Sequence, residues 1–159
     1  MPASGPTQPF SAKEIYLDAI RLTERMHRQF LDVIRAELDR SKIEDINSVQ
    51  CLILFNIGPN ELSVGELTHR GYYLGSNVSY NVRKMVDNGY MEQERSVHDR
   101  RSFHVRLTPR GLELWRKIDQ MFDAQVAALV EIQKPEEIQS ASALYRKLEQ
   151  FWQLELKKL

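Results

Sequence analysis

The chain has 159 residues, with 22 Lys/Arg balanced by 22 Asp/Glu, so its overall charge does not announce a strongly basic or acidic partner. Its length fits one domain that buries about two thirds of the surface of the unfolded chain. The single Cys51 rules out an intrachain disulfide and a cysteine-based zinc cluster, and the longest apolar run, 51–55, is too short to cross a membrane.

The opening MPASGPTQPF has neither a charged n-region nor an apolar h-region, so residues 1–10 read as a flexible arm and not as a signal peptide. The cytoplasm is the expected compartment. Ser11 followed by Glu14 is a capping-box pattern, with Phe10 and Ile15 at the staple positions around it. It predicts a helix over 11–38, whose apolar residues Ile15, Ala19, Leu22, Met26, Phe30 and Val33 step by three and four. Ile20, Leu31, Ile34 and Leu38 make a second stripe, so this helix is expected to meet partners on more than one side. The same grammar recurs at Asn47/Gln50 with Ile46/Cys51, predicting a helix over 48–57 that stops at Gly58-Pro59. Ser63/Glu66 with Leu62/Leu67 predicts a short helix over 64–70.

A fourth helix is expected over 76–88, with Gly89 suited to the left-handed position after it. The period then changes from 3.6 to 2. Segments 90–95 and 102–108 alternate polar and apolar residues, with Met91, Phe103, Val105 and Leu107 as inward positions, and 96–101 joins them into a hairpin. Thr108 and Pro109 supply an N-cap and a proline at the first helical position. A long helix follows to about 132, with Trp115, Ile118, Phe122, Val126 and Leu129 on one face. Pro135 opens a last helix striped by Ala141, Leu144, Leu148, Phe151 and Trp152. The predicted fold class is mainly α with a small β-hairpin, in the order α-α-α-α-β-β-α-α, without internal repeats.

A short helix, a tight glycine-containing turn, a second helix and a hairpin make a winged helix-turn-helix arrangement. Charge supports a nucleic-acid use of it. Residues 63–111 hold 8 Lys/Arg against 5 Asp/Glu, whereas 1–47, 48–62 and 112–159 each have one acidic residue in excess. In the fourth helix Val78, Val82, Met85 and Val86 share an inward face. Ser76, Asn77, Ser79, Tyr80, Asn81, Arg83 and Lys84 are then left outward, with no acidic residue before Asp87. Such side chains hydrogen-bond base edges or phosphates, and the two cations add attraction. An ordinary solvated helix more often carries Glu/Lys pairs there.

The stretch SVHDRRSFHVRLTPRG, residues 96–111, sets Asp99 beside Arg100 and Arg101 at the hairpin tip, and NVSYNVRKMVDNGYMEQE, residues 77–94, leads into it. In this order and spacing the chain resembles the MarR family of winged helix-turn-helix regulators, motif by motif over about 47–116 and in helix number and length beyond. The resemblance implies a wing formed by His98, Asp99, Arg100 and Arg101, whose tip arginine enters the minor groove while Asp99 braces it. The physics agrees, because a narrow A·T-rich minor groove attracts guanidinium groups and a carboxylate can orient a neighbouring Arg. The bland alternative is a solvated turn ion pair worth under about 1 kcal/mol.

The implied domain plan is an arm over 1–10 and a single MarR-like domain over 11–159. Within that domain 47–111 is the DNA-binding part, and 11–46 with 112–159 are dimerisation helices. Partners are then double-stranded DNA bearing a pseudo-palindromic operator, a second copy of the chain, and a small apolar or aromatic effector that releases a repressor from DNA. Phe30, Cys51, Phe55, Tyr73 and Trp115 are candidate effector contacts, although aromatics at helical spacing usually just fill cores. The sequence departs from the family at Tyr80, where a basic residue is common. It also has no cysteine in its first helix, where the family's peroxide sensors carry theirs. Cys51 reads as a packing thiol. His98 and His104 lack thiolate or carboxylate company at ligand spacing, so no metal and no cofactor are expected. A glycine-rich phosphate loop, a serine elbow and a histidine–carboxylate pair are all missing from the sequence, so an enzyme is not expected. The competing reading is a winged-helix protein–protein adaptor that binds no DNA.

Overall fold

The computed structural model describes residues 10–71, 75–97 and 102–159. The chain divides into two compact units, Met1–Trp115 and Arg116–Leu159. The first contains α1 (Ala12–Arg40), α2 (Ser48–Ile57), β1 (Leu62–Ser63), α3 (Val64–Gly71), α4 (Gly75–Asp87), β2 (Met91–Arg95), β3 (Phe103–Leu107) and the start of α5 (Pro109–Leu129). The second contains the rest of α5 and α6 (Pro135–Leu156). The mainly helical winged fold is the one expected, with one addition. β1 pairs antiparallel with β3 through Leu62↔Val105 and Ser63↔His104, giving a three-stranded sheet in the order β1-β3-β2. Two residues are too few to show a period of two, and Ser63 also caps α3, which hides the strand from a pattern reading.

All three capping boxes form, because each needs only side chains three residues apart. The Ser11 and Glu14 side chains exchange hydrogen bonds with each other's backbone N–H groups at 3.2 and 2.7 Å. Asn47 and Gln50 do the same at 2.9 and 3.0 Å, and Ser63 and Glu66 at 3.1 and 2.7 Å. The two Ser63 bonds hold the Glu66 carboxyl below the usual carboxylate range, with Arg70 and His104 adding smaller attractions. The staple pairs differ. Ile46, Cys51, Leu62 and Leu67 are buried, whereas Phe10 and Ile15 stand exposed.

The core of the first unit is built where these helices meet the sheet. Ile34 and Leu38 of α1, Cys51, Ile53, Leu54 and Ile57 of α2, Leu67 of α3 and Val78, Val82 and Met85 of α4 are buried together with Met91 and Val105. Of the two α1 stripes, only the one ending in Ile34 and Leu38 goes in. Ile15, Leu22, Met26, Phe30 and Val33 stay exposed. In α5 Leu114, Ile118 and Met121 are buried; of the predicted face Ile118 goes in, Trp115 and Phe122 are half-buried, and Val126 and Leu129 are exposed. α6 buries none of its residues, leaving Leu144, Phe151 and Leu154 exposed. No helix among the described residues is long and apolar enough to cross a membrane.

α4 ends as its sequence predicts. Gly89 takes φ 77°, its N–H bonds to the Val86 carbonyl at 2.9 Å, and the Tyr90 N–H bonds to that of Met85 at 2.9 Å. That is a Schellman closure, which needs a left-handed residue where glycine pays no Cβ penalty. It turns the chain straight into β2, whose pairing with β3 runs from Met91↔Leu107 to Arg95↔Phe103. Met91, Val105 and Leu107 face inward and are buried. Phe103 is half-buried under the Arg95 guanidinium, 5.5 Å from the ring centroid.

Candidate nucleic-acid interface

α3 and α4 are the two helices of a helix-turn-helix, and α4 is two-sided. Val78, Val82 and Met85 are essentially without solvent contact, and Val86 is half-buried. Asn77, Ser79, Tyr80, Arg83 and Lys84 are exposed, with Tyr80 at 60%. Ion pairs among the described residues involve neither Arg83 nor Lys84. The side chain of Ser76 and the residues Tyr73, His98, Asp99, Arg100 and Arg101 lie outside what the structure describes.

Asn81, expected on the outward face, is drawn partly inward. Its Oδ1 accepts from the Gln50 amide at 3.2 Å, and its Nδ2 donates to the Asn77 carbonyl at 2.9 Å. Gln50 is the buried polar residue of the core, so one amide closes the cap of α2 and also grips α4. A buried amide is costly unless both ends are bonded, and this contact satisfies them. Asn81 therefore holds the helix in place in addition to lying beside its exposed face.

The outer face of the wing sheet is not cationic. Arg106 donates to Glu92 at 2.9 Å and to Glu94 at 3.1 Å, which keeps its guanidinium even more firmly protonated. His104 lies 3.6 Å from Glu61. Arg110 pairs with Asp45 at 2.9 Å. Two of the basic residues in 63–111 are thus matched by carboxylates, which leaves Arg83 and Lys84 as the cationic pair on α4.

Of the candidate effector contacts, the structure joins two. Phe55 and Trp115 stack with centroids 5.8 Å apart, and the Trp115 Nε1–H donates to the Phe55 carbonyl at 3.2 Å. Phe30 is exposed on α1 and Cys51 is fully buried in α2. Burial, then the nearby Glu37 carboxylate, pushes the Cys51 thiol up to about 12, so it stays a protonated packing group. A cleft of about 420 Å³ opens elsewhere, between α1 and the start of α2, beside Arg35, Asp39, Ile43, Asp45, Asn47 and Gln50. Groups of three or more potential metal ligands are absent among the described residues.

At the far end of α4 the expected cap at Thr108 forms, and it is joined by Tyr90 and Asp45, which a sequence reading passed over. Thr108 Oγ1 donates to the Gly89 carbonyl at 2.6 Å and accepts from the Gly111 N–H at 3.1 Å, capping α5 on the Schellman turn. Tyr90 is buried and donates its hydroxyl to Asp45 at 2.7 Å. Burial first, and that bond second, push the phenol up to about 12. Gly89 and TPRG, residues 108–111, were the sequence signals of this junction.

A two-sided α4, carried on α3 and followed by an antiparallel hairpin, defines a winged helix-turn-helix protein. Residues 44–102 match the family model described as the MarR family. The exopolysaccharide II synthesis transcriptional activator ExpG of Rhizobium meliloti is 42% identical over 99 residues, 62% of this chain and 51% of that protein. The chain thus spans about half the length of that relative. Among solved structures, Streptococcus pneumoniae FabT in complex with DNA superposes with a TM-score of 0.66 at 24% identity, covering 85% of this chain and 97% of that one. AbsC, a MarR family transcriptional regulator from Streptomyces coelicolor, gives 0.72 at 18% identity, covering 92% and 99%. Residues 44–102 are thus similar to the MarR family, and the fold is similar to that of MarR-family structures.

Proposed function

We propose that this chain is a sequence-specific transcriptional regulator that binds double-stranded DNA as a homodimer. The observation that carries the reading is α4, anchored by Val78, Val82 and Met85 and presenting Asn77, Ser79, Tyr80, Arg83 and Lys84 outward. A helix of this kind suits the major groove, with polar groups for base edges and cations for phosphates. FabT, which shares the fold, was solved on DNA, and this supports the same use here. The exposed apolar residues of α1 and α6 support a second copy as their cover. Two-fold symmetry then sets half-sites about 34–36 Å apart.

The family resemblance adds a repressor released by a small apolar or aromatic effector. ExpG bears the name of a transcriptional activator, which favours a second reading in which the bound chain raises transcription. Selection of genomic duplexes by the full-length chain, followed by a reporter assay on the selected sites, tests both. Retained duplexes sharing a pseudo-palindrome, and a mass in light scattering of twice 18.6 kDa, are the expected results. A particle of 18.6 kDa that retains no duplex overturns the reading in favour of a protein-binding adaptor.

The wing tip belongs to the same proposal. With Asp99 bracing Arg100 or Arg101 in a minor groove, Asp99→Ala is expected to weaken binding by about three- to tenfold, although it removes a negative charge. The loss on Arg101→Ala should shrink when A·T flanks are replaced by G·C. Tighter binding by Asp99→Ala, indifferent to flank sequence, assigns the arginines to solvated charge.

A further inference from the structure

The C-terminal end of α4 is held by a single guanidinium that gathers three distant segments. Arg110, at the start of α5, donates from Nη1 to the Asn88 carbonyl at 2.5 Å, beyond the last turn of α4. From Nη2 it reaches Asp45 Oδ2 at 2.9 Å and the Tyr90 hydroxyl at 3.1 Å. Its central carbon sits 4.2 Å from the Tyr90 ring centroid. Asp45, in the linker between α1 and α2, also accepts the Tyr90 hydroxyl at 2.7 Å, and its backbone carbonyl accepts from the Asn88 amide at 2.5 Å. Five hydrogen bonds thus join the α1–α2 linker, α5 and the turn where α4 passes into the wing to one another.

Stability alone is a poor account of this arrangement. The Arg110 and Asp45 side chains are 55% and 41% exposed, and ion pairs in that setting contribute little to folding. The planar guanidinium, in contrast, fixes direction, because its donors leave in a rigid fork and its face is stacked. A cation aimed at the carbonyl end of a helix also complements the helix dipole. At its middle α4 is gripped by the Gln50–Asn81 amide contact. The two attachments, one mid-helix and one just past its last turn, set its roll and tilt.

We propose that Arg110 is a positioning residue for DNA recognition, which holds the outward face of α4 at its docking angle through Asn88, Tyr90 and Asp45. The proposal rests on the DNA-binding reading above and adds that affinity depends on a cluster that does not touch DNA. Groups that recognise a ligand lose much of their effect when displaced by fractions of an ångström. Electrostatics makes the idea separable from a direct contact. If Arg110 were a phosphate ligand, Asp45 beside it would weaken binding, and its removal would strengthen it.

The test uses the full-length chain and a duplex selected by the wild type, with dissociation constants measured over a range of salt at a temperature where circular dichroism shows each variant folded. Arg110→Ala is expected to weaken binding about tenfold without changing the salt slope. Asp45→Ala should weaken it in the same direction, and the double variant should be no weaker than the worse single one. Arg110→Lys should recover only part of the loss, since an ammonium lacks the fork. A salt slope flattened by about one unit in Arg110→Ala, together with tighter binding by Asp45→Ala, overturns the proposal in favour of a phosphate contact. Wild-type affinity in folded Arg110→Ala and Asp45→Ala also overturns it, leaving the cluster a purely structural joint. A wild type that selects no duplex removes the DNA reading and this proposal with it.

Discussion

Gly111→Ala should lower the stability of the chain by at least about 3 kcal/mol, a loss drawn from a total of about 5–15 kcal/mol for an ordinary domain. A Cβ at this position would lie 2.1 Å from the Tyr90 carbonyl oxygen and 3.2 Å from Leu107 Cβ. The oxygen has nowhere to go. It accepts the Thr108 N–H at 3.1 Å, Tyr90 itself is buried, and its own N–H closes the Schellman turn on Met85. Relief therefore means opening the joint between α4, β2 and α5, not rotating a side chain. At about 2–4 °C per kcal/mol for a chain of this size, the thermal midpoint should fall by roughly 6–12 °C. Gly65→Ala is the internal control. Among the described residues a Cβ there meets only Ser63 Oγ, at 3.9 Å, in the first turn of α3. It should raise stability by about 0.4–1 kcal/mol, by restricting the unfolded chain. A Gly111→Ala midpoint within about 2 °C of wild type, in the same scan, would show that the joint is looser than its contacts imply.

That contrast marks what a reading of the sequence can and cannot reach. The Asn47–Gln50 box and the inward row Val78, Val82 and Met85 were legible because both depend on spacings of three and four along one helix. β1 was not, since two residues carry no period and Ser63 already has a role as a cap. Asn81 was read as outward from its angle on the helix, which is nearly right. What drew it in is Gln50, a partner 31 residues away that a helical wheel does not contain. The Asp45–Arg110 pair spans 65 residues, and each partner alone reads as an ordinary solvated charge. Gly111 stood out only as the end of TPRG. The reason it must be glycine is a carbonyl contributed by another segment, and such approaches are a property of the assembled chain.

Arg83→Glu with Lys84→Glu should abolish specific DNA binding, with affinity falling at least about 100-fold at moderate salt. The reversal removes two attractive charges from the outward face of α4 and sets two carboxylates against the phosphates. No acidic residue lies before Asp87 on this helix, so the change inverts the sign of the whole face. The fold should not notice. Both side chains are exposed, the buried row is untouched, and surface changes of this kind stay within about 0.5 kcal/mol. Single alanine variants then sort the two roles. If Arg83 or Lys84 binds a phosphate, its alanine variant lowers affinity uniformly across sequences and flattens the salt slope by about one unit. If either reads a base, its alanine variant instead costs discrimination at one base pair, by about 1–3 kcal/mol. Ser79→Ala, also on the exposed face, should affect discrimination without affecting the slope, because a hydroxyl releases no counterions. A double reversal that still binds its selected duplex with wild-type affinity would reject α4 as the recognition helix. The reading would then fall back on the winged fold as a protein-binding surface.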